Sequence, residues 1–319
     1  MTSVSVIIPN YNRASLIGET IENILGQSLP PLEVIVVDDG STDNSIEVLK
    51  KFGNKIKLIK QNNRGPGAAR NAGLRVASGA FIQFFDSDDL MTSNKLEVQV
   101  RLLESNTEAD LVYGPYVMAE KVNGEWKQTE AIIQYFPLPP KPLNAIVTEG
   151  WCAITQSCLF RKEVIENAGP WREDLMPHED KEYWYRLGKM IRRSLHENES
   201  CVFYRQHSQQ ITDLQVRTMT RTLDGIKAFD MILEQSKIDH VPVLSRMMCA
   251  GMRAGYVKYL NRNSHFEIQN TWTDEIYYML YRVVQKAGRM KTKTNWQPHH
   301  GALNSPEKFA SYKRLLGHN

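Results

Sequence analysis

The sequence predicts an α/β fold of three layers, α/β/α, with a mostly parallel central sheet and a helical C-terminal region after it. Two observations carry this. Up to residue 90, apolar runs at 4–8, 32–37, 56–60 and 81–85 alternate with helix-patterned segments through short connections. Such runs are nearly continuous in apolar character rather than alternating, as strands covered on both faces are. The runs also end on polar or acidic clusters: Pro9-Asn10-Tyr11-Asn12, Asp38-Asp39-Gly40-Ser41-Thr42-Asp43 and Asp86-Ser87-Asp88-Asp89. Open α/β sheets take their ligands at the carboxyl ends of their strands, which is where these clusters fall.

After the first strand a helix is expected over 15–27, with Leu16, Thr20, Ile24 and Gln27 along one face. Pro30-Pro31 redirects the chain into the second strand. The aspartates behind that strand favour the positive end of a helix over 44–52, with Ser41 or Thr42 as its N-cap. The third strand is followed by the loop 61–67 and a helix over 68–77, stopped by Ser78-Gly79. The fourth strand ends at Asp86. Beyond it the pattern predicts a helix over 94–105, a strand over 109–117 and a hairpin turn at Asn123-Gly124. Prolines exclude regular structure over 136–142, so a long surface loop is expected there. A strand over 157–160, helices over 162–168 and 178–190, and a strand over 200–205 complete this part. From residue 216 the pattern is helical, over 216–236, 240–262 and 268–287. Leu223, Ile226, Phe229, Met231 and Ile232 make one apolar face, and Ile276, Tyr277, Leu280 and Val283 another.

With 319 residues, 42% hydrophobic and 24% charged, the chain has the composition of an ordinary globular protein with room for one large domain, or one domain plus a smaller appendage. The four cysteines, at 152, 158, 201 and 249, form no CxxC pair, so free thiols in a reducing, cytoplasmic setting are expected. Residues 1–9 lack the features of a signal peptide, and no run reaches the roughly 18 apolar residues of a spanning helix. Net charge is +3, but from Arg282 to Arg314 the basic residues face Glu307 alone. That tail is either simply solvated or suited to an anionic membrane surface.

Three carboxylates within Asp86-Ser87-Asp88-Asp89 repel one another unless a cation or an arginine lies among them. A hard metal such as Mg²⁺ or Mn²⁺ is one solution, and a solvated turn capping the next helix is the other. Asp38-Asp39 beside Pro9 and Tyr11 suits a nucleoside pocket, in which a carboxylate accepts from the base and a tyrosine stacks on it; Asp39-Gly40 also reads as a tight turn. Gly65-Pro66-Gly67-Ala68-Ala69-Arg70 fails as a dinucleotide fingerprint, because its third glycine is Arg70 and it lies in the third unit. Arg70 on the first turn of a helix can instead reach a base or a diphosphate. Asp86-Ser87-Asp88 is followed by Asp89-Leu90, unlike the haloacid-dehalogenase phosphatases, and no P-loop occurs. Glu179-Asp180 is either a dipole-favoured helix start or a general base with its neighbour. His207 is either structural or a ligand of an acidic metal site.

Taken in order, Val4-Ser5-Val6-Ile7-Ile8-Pro9-Asn10-Tyr11-Asn12, Asp38-Asp39-Gly40-Ser41-Thr42-Asp43, Arg70-Asn71-Ala72-Gly73, Asp86-Ser87-Asp88-Asp89 and Glu179-Asp180 resemble the family 2 glycosyltransferases of GT-A fold, over roughly residues 3–210. The resemblance implies a GT-A domain over 1–212, with a nucleotide-sugar half at 1–110 and an acceptor half at 111–212. A helical region over 213–290 and a basic tail over 291–319 would follow. Residue by residue, it implies that Pro9, Tyr11 and Asp39 hold the nucleoside, that Arg70 assists at the base or diphosphate, and that Asp86 and Asp88 form the Asp-x-Asp element. Asp86 would contact both nucleotide and metal, Asp88 would hold Mn²⁺ or Mg²⁺, and His207 would be a third contact. Asp180 would be the catalytic base, supported by Glu179.

The implied activity is inverting transfer of a sugar from a nucleotide-sugar donor, a UDP-sugar, to a hydroxyl of a glycan or lipid-linked acceptor in cell-surface polysaccharide synthesis. No nucleic-acid partner is implied, and the basic C-terminal region would allow peripheral membrane contact. His178 stands where many relatives carry a small residue. Two other classes compete. A sugar-1-phosphate nucleotidyltransferase would open with a glycine-rich loop bearing an arginine, unlike Pro9-Asn10-Tyr11-Asn12, and a catalytically silent nucleotide-sugar-binding module would not need both acidic motifs.

Overall fold

The computed structural model describes residues 3–122, 125–128, 132–135, 142–149, 153–176, 178–207, 219–263, 275–276, 278–279, 281–282 and 300–303. The proline-rich stretch 136–141, Asn123-Gly124, the turn of the expected hairpin, and nearly all of the basic tail lie outside them.

The expected alternation is present. Strand β1 (Val4–Asn10) leads to α1 (Ile17–Leu25), β2 (Glu33–Asp38), α2 (Ser45–Lys50), β3 (Lys57–Lys60), α3 (Pro66–Leu74) and β4 (Phe81–Phe84). These four strands pair in parallel in the order β4-β1-β2-β3. Their apolar residues divide between the faces. Val4, Val6, Ile8, Val34 and Val36 pack beneath Ile17, Ile21 and Ile24 of α1, whereas Ile7, Ile35, Val37, Ile82 and Phe84 pack against Ala69 and Ala72 of α3. Two covered faces explain why the runs are mostly apolar rather than alternating. Gly73 sits so close to β1 that a Cβ there would lie 2.4 Å from Cγ2 of Ile7, so the Arg70-Asn71-Ala72-Gly73 motif needs its glycine.

The chain continues through β5 (Leu90–Met91), α4 (Lys95–Ser105), β6 (Leu111–Tyr113), β7 (Tyr116–Val122), β8 (Glu125–Gln128), β9 (Ile132–Tyr135), α5 (Leu143–Thr148), β10 (Cys158–Arg161), α6 (Lys162–Ala168), α7 (Glu179–Met190), β11 (Ser194–His196) and β12 (Val202–Arg205). The main sheet runs β11-β6-β10-β4-β1-β2-β3, with β10 antiparallel to both its neighbours and the other pairs parallel. A second sheet runs β13-β9-β7-β12-β5, with β8 on β7, where β13 is His300–Leu303. The strand expected over 109–117 is therefore two strands in different sheets. Proline at 115 cannot donate to a ladder, and the chain changes sheets at Gly114-Pro115. The expected hairpin is present as the antiparallel pair β7–β8.

The helical pattern after residue 216 resolves into α8 (Met219–Ile238) and α9 (Val243–Asn263), and 275–276, 278–279 and 281–282 are also helical. Phe229, Ile232, Val241 and Cys249 belong to the same buried cluster as Phe84, Phe160 and Trp184. A fully buried side chain of this kind contributes about 1.5–3 kcal/mol, so the two helices add to the core. Cys158, Cys201 and Cys249 are buried thiols outside any disulfide among the described residues, and burial pushes the Cys158 thiol up to about 12. No helix among the described residues is long and apolar enough to cross a membrane.

Candidate active site

The carboxyl ends of β1, β2 and β4 lie side by side, since Asn10 registers with Asp38 and Ile7 with Phe84. Asp38 accepts from Asn10 Nδ2 at 2.9 Å and from Ser41 N–H at 3.1 Å, which closes the turn. Helix α2 is not capped as expected. Ser41 Oγ instead accepts from Asn12 N–H at 3.0 Å, and Asp43 takes the Ser45 N–H at 2.9 Å, because the chain returns to the end of β1 before the helix begins.

Asp39 is buried and anchors the next loop. Its oxygens accept from Gln61 Nε2 at 2.7 Å, Arg64 N–H at 2.9 Å and Gly65 N–H at 2.8 Å. A carboxylate has about four acceptor positions, so one is left for a base edge. Pro9 is the penultimate residue of β1, and Tyr11 just past it is 40% exposed.

Beyond β4 the three carboxylates part company. Asp88 Oδ2 accepts from Arg13 Nε at 2.9 Å and lies 3.0 Å from His207 Nε2. Burial pushes the Asp88 carboxyl up, but the His207 and Arg13 contacts outweigh it and hold it below the usual carboxylate range. Asp89 is fully buried, accepting from Arg205 N–H at 3.0 Å and Gln156 Nε2 at 2.6 Å. Burial, with Asp88 and Asp86 adding repulsion, raises it well above that range, so it is a structural carboxyl. The antiparallel pairing of β12 with β5 makes this geometry: Phe203 opposes Leu90, which brings Arg205 against Asp88 and Asp89 and leaves His207 beside Asp88. Arg205 also donates to the Asp88 carbonyl, to Glu19 at 2.6 Å and to Thr20 at 2.7 Å.

Asp86 and Glu179 come together through Arg70. Its guanidinium donates to Asp86 at 3.1 Å and to Glu179 at 3.0 Å, and lies 4.6 Å from the ring centroid of Trp171. Burial depresses the Arg70 pKa, but Asp86 and Glu179 more than reverse this. Burial raises both carboxyls, against Arg70, with Asp88 adding to Asp86 and Asp180 to Glu179. Asp180 is also within electrostatic reach of Asp86. At 7% exposure, with both terminal nitrogens engaged, Arg70 is a strut between the two acidic motifs.

The structure thus collects Asp86, Asp88, Glu179, Asp180, Arg70 and His207 around one centre, with Pro9, Tyr11 and Asp39 at the neighbouring strand ends. Sequence patterning missed Arg13, Arg205 and Trp171. Arg13 directly follows Tyr11-Asn12 at a strand end and Trp171 follows Gly169-Pro170, but their partners lie 75 and about 100 residues away. Among the described residues no three His, Cys, Asp or Glu side chains form a metal cage. Mg²⁺ and Mn²⁺ are commonly held by one or two carboxylates together with substrate phosphates, and Asp86 and Asp88 fit that donor set, with the imidazole of His207 adjacent.

The family model described as Glycosyl transferase family 2 matches residues 5–169, just over half of the chain. An uncharacterized glycosyltransferase of Nostoc sp. (strain PCC 7120) is 34% identical over 175 residues, 52% of this chain and 53% of its own. Glycosyltransferase GlyG of Streptococcus pneumoniae is 37% identical over 127 residues, 39% of this chain and 42% of its own. The chain spans 18% to 53% of the length of the curated relatives it matches first. Among solved structures, S. aureus TarS 1-349 in complex with UDP-GlcNAc has a TM-score of 0.58 at 20% identity, covering 90% of this chain and 92% of that one. A Pyrobaculum calidifontis mannosyltransferase in complex with GDP-Man and Mn²⁺ has a TM-score of 0.53 at 17% identity, covering 98% and 85%. Both likenesses are of fold.

Proposed function

The chain belongs to glycosyl transferase family 2, and on that premise we propose that it is an inverting, metal-dependent transferase. It moves a sugar from a UDP-sugar to a hydroxyl of a glycan or lipid-linked acceptor. The observation that carries this is the Arg70 strut, which fixes Asp86 of the Asp-x-Asp element and Glu179 of the base motif to one guanidinium. Donor and acceptor functions then share one centre. That TarS is solved with UDP-GlcNAc, and the mannosyltransferase with GDP-Man and Mn²⁺, supports a nucleotide-sugar donor.

In this reading Tyr11 stacks on the base, Pro9 lines its pocket and Asp39 accepts from its edge. Mn²⁺ or Mg²⁺ held by Asp86 and Asp88, with His207 beside them, would supply charge compensation for the departing diphosphate. Asp180, on the first turn of α7, takes the proton of the acceptor hydroxyl as that oxygen attacks the anomeric carbon. The bond from that carbon to the diphosphate breaks on the opposite face, so the configuration inverts. Glu179 stays clamped on Arg70 and holds the turn that carries Asp180.

Calorimetric titration of UDP, GDP, CDP and TDP, with and without Mn²⁺, tests the donor. Metal-dependent binding of UDP alone is expected. Binding of another nucleotide would move the base assignment away from Asp39, and binding of none would leave a silent module. Asp180→Asn is expected to keep UDP affinity and lower turnover by about 10²–10⁴-fold, as loss of a general base does. Near-normal turnover in that variant would remove the base assignment.

A further inference from the structure

We propose that His178 is a positioning residue through which helices α8 and α9 set the aim of the catalytic base. This rests on the assignment of Asp180 as that base.

His178 is the N-cap of α7 and adopts φ 93° and ψ 7°, in the left-handed region. A residue with a Cβ is strained there and stays only where its surroundings over-determine it, and such positions gather at functional sites. The surroundings are the two C-terminal helices. The imidazole meets Tyr256 of α9 edge to face, with ring centroids 5.4 Å apart and planes at 76°. Tyr256 meets Phe229 of α8 in the same manner at 5.5 Å. Opposite them stands Gly225 of α8. A Cβ at that position would lie 2.5 Å from Cε1 of Tyr256 and 3.0 Å from Nε2 of His178, so the missing side chain is what admits both rings.

The same helix grips the chain that leads into His178. Lys227 donates to the Asp174 carboxylate at 2.6 Å, and the Met176 backbone hydrogen-bonds the Asp224 carboxylate. The far end of this segment is held by α3 and the loop before it. Asn71 donates to the Trp171 carbonyl at 3.0 Å and to Glu173 at 2.9 Å, and Arg64 also pairs with Glu173. Residues 171–176 are therefore a strap tied to the nucleotide side at one end and to α8 at the other, and His178 fastens its exit.

Asp180 has reason to depend on that fastening. Glu179 is locked by Arg70, but the one hydrogen bond to the Asp180 carboxylate among the described residues is local, from Lys181 N–H at 2.8 Å. Its direction is thus set by the backbone at the start of α7. That backbone is what the His178 conformation fixes.

His178→Gly separates ring from strain, since glycine takes positive φ freely and only the imidazole is lost. Gly225→Ala displaces the same rings from the opposite side. The probe is UDP release from the UDP-sugar that wild type turns over fastest, alongside UDP titration with Mn²⁺. Each variant is expected to lose about 10²-fold in turnover, the scale of an ångström's misplacement of a reacting group. UDP affinity should stay within about twofold, which also shows that the fold is intact. Added imidazole should restore part of the His178→Gly turnover, and amide exchange over 179–183 should quicken in both variants without any substrate. Turnover of His178→Gly within about twofold of wild type, unchanged exchange, or UDP affinity falling in step with turnover would each overturn the inference. Asp180→Asn is run in parallel. If it keeps near-normal turnover, the base assignment falls and this inference with it; if it collapses while His178→Gly does not, this inference alone falls.

Discussion

Replacing Arg70 with methionine keeps most of the side-chain volume and removes one charge from the middle of the acidic cluster. Its pair with Glu179 is buried on both sides, each side chain being 8% exposed. Removing one partner of such a pair strands the other charge at a cost of about 3–5 kcal/mol. The pair with Asp86 is 33% exposed on the carboxylate side, so solvent screens it and it adds no more than about 1 kcal/mol. The contact with Trp171 is partly replaced, because a methionine sulfur also packs favourably on an aromatic ring. A loss of about 3–5 kcal/mol near pH 8 follows, a large share of the stability of an ordinary domain.

The loss should depend on pH. Burial already raises Asp86 and Glu179 in the folded protein, and Arg70 is the main group opposing it. Without Arg70 their folded pKa values rise further above the unfolded ones. The folded variant then binds more protons than the unfolded chain, so its deficit is fully expressed at high pH and shrinks as pH falls through the folded pKa values. Urea unfolding followed by tryptophan fluorescence, near pH 8 and near pH 5, measures both quantities. A deficit below about 1 kcal/mol, or one equal at the two pH values, would refute the view that Arg70 holds the two motifs by charge. Arg70→Lys should not restore the loss, since a point charge cannot serve two carboxylates as the planar fork does.

Asp89→Asn should cost about 1–3 kcal/mol, because its amide cannot accept from both Arg205 and Gln156, while leaving Mn²⁺-dependent UDP binding near wild type. Asp88→Asn should also cost stability, since it breaks a charge pair with buried Arg13, but unlike Asp89→Asn it should greatly weaken Mn²⁺-dependent UDP binding, and titration of both variants decides whether the two carboxyls divide as described. Lys95 is buried, with Nζ on Gln83 at 2.5 Å and Gln99 at 2.8 Å, and burial, against Cys158 and Glu197, lowers its pKa to about 8. Here the unfolded chain binds more protons between the two pKa values, so stability rises with pH across that window. The stability difference between wild type and Lys95→Met should shift toward wild type by about 2–3 kcal/mol from pH 7 to pH 10. An unchanged difference would mean that burial does not lower the Lys95 pKa.

The strands β1 to β4, the acidic clusters behind them and the helical character of α7 to α9 were legible in the sequence because each depends on neighbours a few residues away. A strand covered on both faces must be largely apolar, as 34–37 and, apart from Ser5, 4–8 are, and the break after it must be polar. Shorter pieces escaped. Strand β5 has two residues and β11 three, too few for a period to register, and the Gly114-Pro115 step between sheets leaves no mark in local hydrophobicity. His300–Leu303 forms a strand on β9 although its four residues show no strand pattern and its partner lies far back in the chain.

At the site, the acids and His207 could be read, and the arginine pairings could not. Nothing near Asp88 announces Arg13, 75 residues earlier; the parallel crossovers bring it there, as the β5–β12 pairing brings His207. The helix start that carries Arg70 is visible in sequence, while its pairing with Glu179, 109 residues away, is not. The sequence by itself determined which residue types stand at the strand ends, since burial on two faces and chain turning are local requirements. Only the tertiary structure decided which carboxylate each arginine neutralises, because charge pairing in a low-dielectric interior depends on distances of a few ångströms that sheet order alone creates.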